Sequence, residues 1–65
     1  MKNKKGKSIN ERLNEDIQYA EATTEISDRT LLATKALGAA DLAVEFGLIT
    51  YTEWEQYIDR IFKLI

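Results

Sequence analysis

Residues 46–65 read FGLITYTEWEQYIDRIFKLI, and the opening FGLITYTE decides the fold. Gly47 sits where the left-handed residue that ends a helix belongs, because glycine takes positive φ without a Cβ clash. Thr50 and Glu53 follow in capping-box form, Thr-x-x-Glu, in which each side chain accepts from the other residue's backbone N–H. One helix therefore stops at Phe46 and another starts at Tyr51. A connection this short makes the two helices antiparallel neighbours, an αα-hairpin.

The helix predicted over residues 51–64 has two sides. Trp54, Ile58, Ile61 and Ile65 form a stripe, broadened by Tyr51, Tyr57, Phe62 and Leu64, while Glu53, Glu55, Gln56, Asp59, Arg60 and Lys63 lie opposite. Asp59 and Lys63 have the i,i+4 spacing and order that favours an ion pair. Working back from the turn, TLLATKALGAADLAVEF (Thr30 to Phe46) is apolar over most of a helical circumference. A helix of that kind is expected to be buried on several sides, which makes it the central element. Its Ala36/Ala40 and Ala39/Ala43 pairs, with Gly38, allow another helix to come close, either within the chain or from a second copy. Glycine weakens a helix interior by about 1 kcal/mol relative to alanine. The expectation is therefore that something packs tightly on Gly38.

Further back, TTEISDRT (Thr23 to Thr30) gathers residues that lose rotamer freedom in a helix or compete for its hydrogen bonds. A break near Ser27 is predicted, with Ser27 or Asp28 as the next cap. Without Gly or Pro in the stretch, a single helix from Ser8 to Phe46 stays open. Ser8 and Glu11 form a second capping box, and Ile9, Leu13, Ile17 and Ala20 make a narrow apolar stripe behind it. The architecture is then all-α: a small three-helix domain over residues 8–65, with helices near 9–26, 29–46 and 51–64. Residues 1–7, MKNKKGK, carry no apolar periodicity and read as a flexible basic arm.

Composition limits function. The 65 residues contain no Cys and no His, which removes thiolate chemistry, zinc-finger spacing and the usual general base. Glu21 and Glu25 could share a metal only with the Glu-x-x-His partner that di-iron bundles require, so they read as a solvated face. The three glycines stand apart, so no phosphate-binding loop is formed. No catalytic, cofactor or metal site is assigned, and the chain is expected not to be an enzyme.

Charge is uneven. Lys2, Lys4, Lys5 and Lys7 contribute +4, so with a formal net charge of −2 the remainder from Ser8 onward carries −6. Phosphate-backbone affinity comes from cations that displace counterions, so only the arm suits nucleic acid, and weakly. A helix-turn-helix reader is disfavoured because Glu53, Glu55 and Asp59 would face the phosphates. The longest uncharged run, Phe46 to Thr52, is far short of the ~20 residues that span a bilayer. No apolar run of signal-peptide length follows the basic residues either, and a cytoplasmic protein without membrane contact is expected.

Three short helices cannot hide every large side chain near the end of this sequence. Small domains often complete their core with a partner chain. The functional expectation is a non-enzymatic helical interaction or regulatory module that binds itself, as a dimer or higher assembly, or another protein. The candidate surface is Tyr51, Trp54, Tyr57, Ile58, Ile61, Phe62 and Ile65, with Trp54 divided between a core and an interface role. The alternatives are a weak nucleic-acid-associated regulator using Lys2, Lys4, Lys5 and Lys7, or an acidic inhibitor of a nucleic-acid-binding enzyme.

Overall fold

Ser8 starts the first helix as its spacing predicts. In the computed structural model, which describes residues 7–65, Ser8 Oγ accepts from the Glu11 N–H at 3.1 Å and Glu11 Oε1 accepts from the Ser8 N–H at 2.9 Å. Helix α1 runs Ile9–Ala22 and buries Leu13, Ile17 and Ala20. Its end is set by Thr23. The Thr23 hydroxyl donates to the Tyr19 carbonyl at 2.8 Å, and the Thr23 N–H turns to Ala20. The side chain thus takes the acceptor that another helical turn would have used.

Helix α2 runs Ile26–Glu45 after only three linking residues. The break therefore lies at Thr23–Glu25, ahead of the expected Ser27. Neither Ser27 nor Asp28 is the cap; both lie in the first turn, and Glu25 occupies the cap position without a side-chain bond. No side chain caps this start. Asp28 still places a carboxylate at the positive end of the helix dipole.

The far end of α2 follows the sequence closely. Gly47 has φ 73°, the Leu48 N–H donates to the Ala43 carbonyl at 2.8 Å, and the Gly47 N–H donates to Val44 at 3.2 Å. Together these make a Schellman motif. It turns the chain so that Ile49 enters the core. Thr50 and Glu53 exchange side-chain and backbone bonds at 3.1 and 2.8 Å, and helix α3 runs Tyr51–Phe62. The Asp59–Lys63 ion pair forms at 3.3 Å between two well-exposed side chains, where its contribution is a few tenths of a kcal/mol.

The three helices run up, down and up. Both sequential pairs are antiparallel, and α1 and α3 lie side by side and parallel. Two apolar layers hold them together. One joins Leu13, Ala40, Ala43 and Ile49, with Trp54 packed on it; the other joins Ile17, Ala33, Ala36 and Ile61, with Leu37 and Leu64 packed on it. Tyr57 and Ile58 touch both layers.

Two expectations for α2 need correction. The helix is not buried on several sides: its core residues are Ala33, Ala36, Ala40 and Ala43, while Leu31 and Leu42 point outward. Only two helices are present to cover it, and both lie on its alanine side. Nor does anything in the protomer pack on Gly38, where an added Cβ would meet no atom within 4 Å.

Candidate interaction surface

The sequence-predicted surface divides into three groups. Ile61 is fully buried in the second layer, so it belongs to the core of the protomer. Trp54, Tyr57 and Ile58 are half-buried and pack against the apolar layers. Tyr51, Phe62 and Ile65 are exposed.

Trp54 is held from two sides. Its indole N–H donates to Asp41 Oδ1 at 2.8 Å, tying α3 to α2. Its ring stacks on Tyr51 with centroids 5.1 Å apart and planes inclined by 29°, within the range of favourable aromatic pairs. The N–H edge of the indole thus joins two helices while a ring face supports an exposed tyrosine.

Tyr57 belongs to a polar seam between α1 and α3. Its hydroxyl donates to Asn10 Oδ1, and Asn10 Nδ2 donates to Glu53 Oε2 at 3.4 Å. One turn further on, Arg60 Nη1 donates to Asn14 Oδ1 at 2.7 Å. Its Nη2 and Nε reach the two Glu21 oxygens at 3.3 and 3.4 Å. Burial, reinforced by the Glu53 carboxylate and partly offset by Arg60, raises the Tyr57 pKa above 10.0. The phenol therefore stays a hydrogen-bond donor throughout the neutral range.

Glu21, considered above for a shared metal, instead meets Arg60. Among the described residues no group of three His, Cys, Asp or Glu is placed to hold a metal ion. A groove of about 250 Å³ between α1 and α2 is lined by Arg12, Asp16, Tyr19, Leu32, Lys35 and Ala36. That volume falls below the ~300 Å³ at which small-molecule pockets begin. Of the four arm lysines, Lys2, Lys4 and Lys5 lie outside the described residues. Lys7 pairs with Glu15 at 2.6 Å on α1, which turns its charge toward the protein. No described helix is long and apolar enough to cross a membrane.

The largest exposed side chains include several that the sequence reading left off its surface. Phe46 is 73% exposed, Leu31 60%, Leu42 56% and Leu48 57%, with Tyr19 and Ile26 also exposed. Leu42, Phe46 and Leu48 sit with Tyr51 around the α2–α3 turn. Tyr19, Ile26 and Leu31 lie toward the α1–α2 link, the end to which Phe62 and Ile65 also belong. The signal that could have found them is the alanine register: Ala33, Ala36, Ala40 and Ala43 at spacings of three, four and three mark the inner side, leaving Leu31 and Leu42 opposite. No family model matches this chain, and no curated protein or solved structure matches it either.

Proposed function

We propose that this chain is a small, non-enzymatic helical interaction module that presents exposed apolar and aromatic helix surface to a second protein chain. The observation that carries the reading is the cluster of Leu42, Phe46, Leu48 and Tyr51 around the α2–α3 turn, each more than half exposed. Exposed apolar side chains gathered in this way on small proteins often mark an interaction site. The Schellman turn and the Thr50 capping box hold these side chains on a rigid end of the bundle. Trp54, anchored by Asp41, backs Tyr51 from beneath.

The polar surroundings fit such a role. Interfaces place aromatic and large apolar residues at the centre and charged residues at the rim. Here Glu45 and Asp41 flank the patch on α2, and Glu55 lies beyond it on α3. Absence of His and Cys from the sequence supports a binding role over catalysis.

The test is capture from the source cell with wild-type protein beside a Phe46→Ser/Tyr51→Ser variant, with circular dichroism to check that both are equally helical. A bound protein, or a second copy of this chain, should be retained by wild type and lost by the variant. Equal capture by both, or none by either together with no self-association, removes the reading.

A further inference from the structure

The net charge of the described residues lies entirely in one stretch of sequence. Ala36 to Asp59 holds five acids, Asp41, Glu45, Glu53, Glu55 and Asp59, and neither Lys nor Arg. The other described residues, 7–35 and 60–65, hold six acids and six bases, so their charges cancel. The acidic stretch forms the second half of α2, the Schellman turn and most of α3. It is the same part of the molecule that exposes Leu42, Phe46, Leu48 and Tyr51.

Most of that charge has no cation to answer it. Asp59 faces Lys63, but Asp41, Glu45, Glu53 and Glu55 form no ion pair among the described residues. Glu45 stands three residues from Leu42, and Glu55 four from Tyr51, so each acid neighbours an exposed apolar side chain on its own helix. Asp41 reaches the cluster through Trp54, on which Tyr51 stacks. We propose that the α2–α3 end of the bundle docks a cationic amphipathic segment of another protein. Its apolar side chains cover Leu42, Phe46, Leu48 and Tyr51, and its Lys or Arg side chains meet Glu45, Glu55 and Asp41. The proposal rests on the interaction-module reading above and names the chemistry of the partner.

The sign of the charge selects among occupants. Nucleic acid and anionic membrane surfaces would approach this end with like charge. A second copy docked through the same end would set acid against acid, which is costly at an interface. A polycation without apolar side chains would leave the cluster uncovered, and an apolar segment without cations would leave the acids unanswered. Interfaces draw most of their binding energy from central apolar and aromatic anchors and much of their choice of partner from surrounding charge. Here the cluster supplies the first and the acids the second.

A display library of random peptides of about 16 residues, long enough for four helical turns, tests this when selected on the full chain and counter-selected on Phe46→Ser/Tyr51→Ser. The enriched peptides should be net cationic and should also carry apolar side chains. Resynthesised without tryptophan, they are titrated against Trp54, the only tryptophan of the chain and the support of Tyr51. Its fluorescence should change on binding. Glu45→Lys/Glu55→Lys should weaken the affinity about tenfold or more, and raising the salt from about 0.05 to about 0.5 M should weaken binding to the wild type. Both positions are exposed, so helicity should hold; Glu45→Gln/Glu55→Gln, which adds no charge, should give a smaller loss in the same direction. Neutral or acidic peptides that win the selection and are lost on Phe46→Ser/Tyr51→Ser overturn the cationic partner and leave the module reading standing. A lysine homopolymer that binds as tightly as the selected peptides overturns the amphipathic requirement. If no peptide is enriched over the serine variant, the docking site is overturned, and the capture experiment then decides the module reading separately. Self-association of the full chain that Lys2→Gln/Lys4→Gln/Lys5→Gln abolishes assigns the surface to the chain's own basic residues and overturns a partner of another kind.

Discussion

The two sides of α2 invert the usual relation between side-chain size and burial. The inner side carries Ala33, Ala36, Ala40 and Ala43, all hidden, and the outer side carries Leu31, Leu42 and Phe46, all mostly exposed. Hydropathy alone would assign both sides to the core. What separates them is the space between helix axes: alanines let α1 and α3 come close, and Leu13, Ile17 and Ile61 from those neighbours fill the volume. The residues on the opposite side face out because no further helix covers them, whatever their size.

The most severe way to probe the inner side is to remove what fills it. Ile61→Ala deletes a fully buried side chain and should cost about 2–5 kcal/mol in chemical denaturation, enough to unfold much of a domain this small. A loss under about 1 kcal/mol would mean that the layer collapses around the gap and is not close-packed.

A matched pair on α2 tests the contrast itself. Ala40→Leu forces volume into the closed side and should destabilise by about 1–3 kcal/mol. Gly38→Ala, less than one turn away, adds a methyl group to open space and should stabilise by about 1 kcal/mol. Opposite signs in thermal melts support the two-sided reading; equal signs break it.

The α1–α3 seam is a third kind of surface, and Tyr57 measures it. Tyr57→Phe should cost about 0.5–1.5 kcal/mol through the lost bond to Asn10. Because folding raises the Tyr57 pKa above 10.0, stability is unaffected below pH 10 and falls as pH rises through the folded value. The phenylalanine variant should lose part of that alkaline decline. An unchanged alkaline slope would place its origin in other groups.

The smallest effect on folding is expected outside. Phe46→Ser should leave stability within about 0.5 kcal/mol, while binding of cationic amphipathic peptides, read by Trp54 fluorescence, should weaken. A large loss of stability would show that Phe46 supports the turn of the same protomer.

What was legible in the sequence follows the range of each interaction. Ser8 with Glu11, Thr50 with Glu53, and Gly47 all act within a few residues, and each capping bond they imply is present. The Asp59–Lys63 pair is equally local. The start of α2 was misplaced because no side chain caps it. The open space over Gly38 was not legible, since it depends on how many helices surround α2, and the exposure of Leu31 and Leu42 could be read only from the alanine register. Asn10 with Tyr57, Asn14 with Arg60, and Asp41 with Trp54 connect separate helices. Nothing in their sequence spacing announces the pairing. Of the candidate surface, Tyr51, Phe62 and Ile65 are exposed and Ile61 is interior, because the apolar stripe of α3 is wider than the gap it covers.

Three helices joined by short links can close in two mirror arrangements, with α3 against one flank or the other of the α1–α2 pair. The alanine row of α2 does not by itself distinguish the two. Asn10, Asn14 and Glu21, however, lie along a single flank of α1, and they meet Glu53, Tyr57 and Arg60 only when α3 lies there. Closing on the other flank would leave the α1 groups to water and forgo about 0.5–1.5 kcal/mol for each bond. The seam favours the handedness observed.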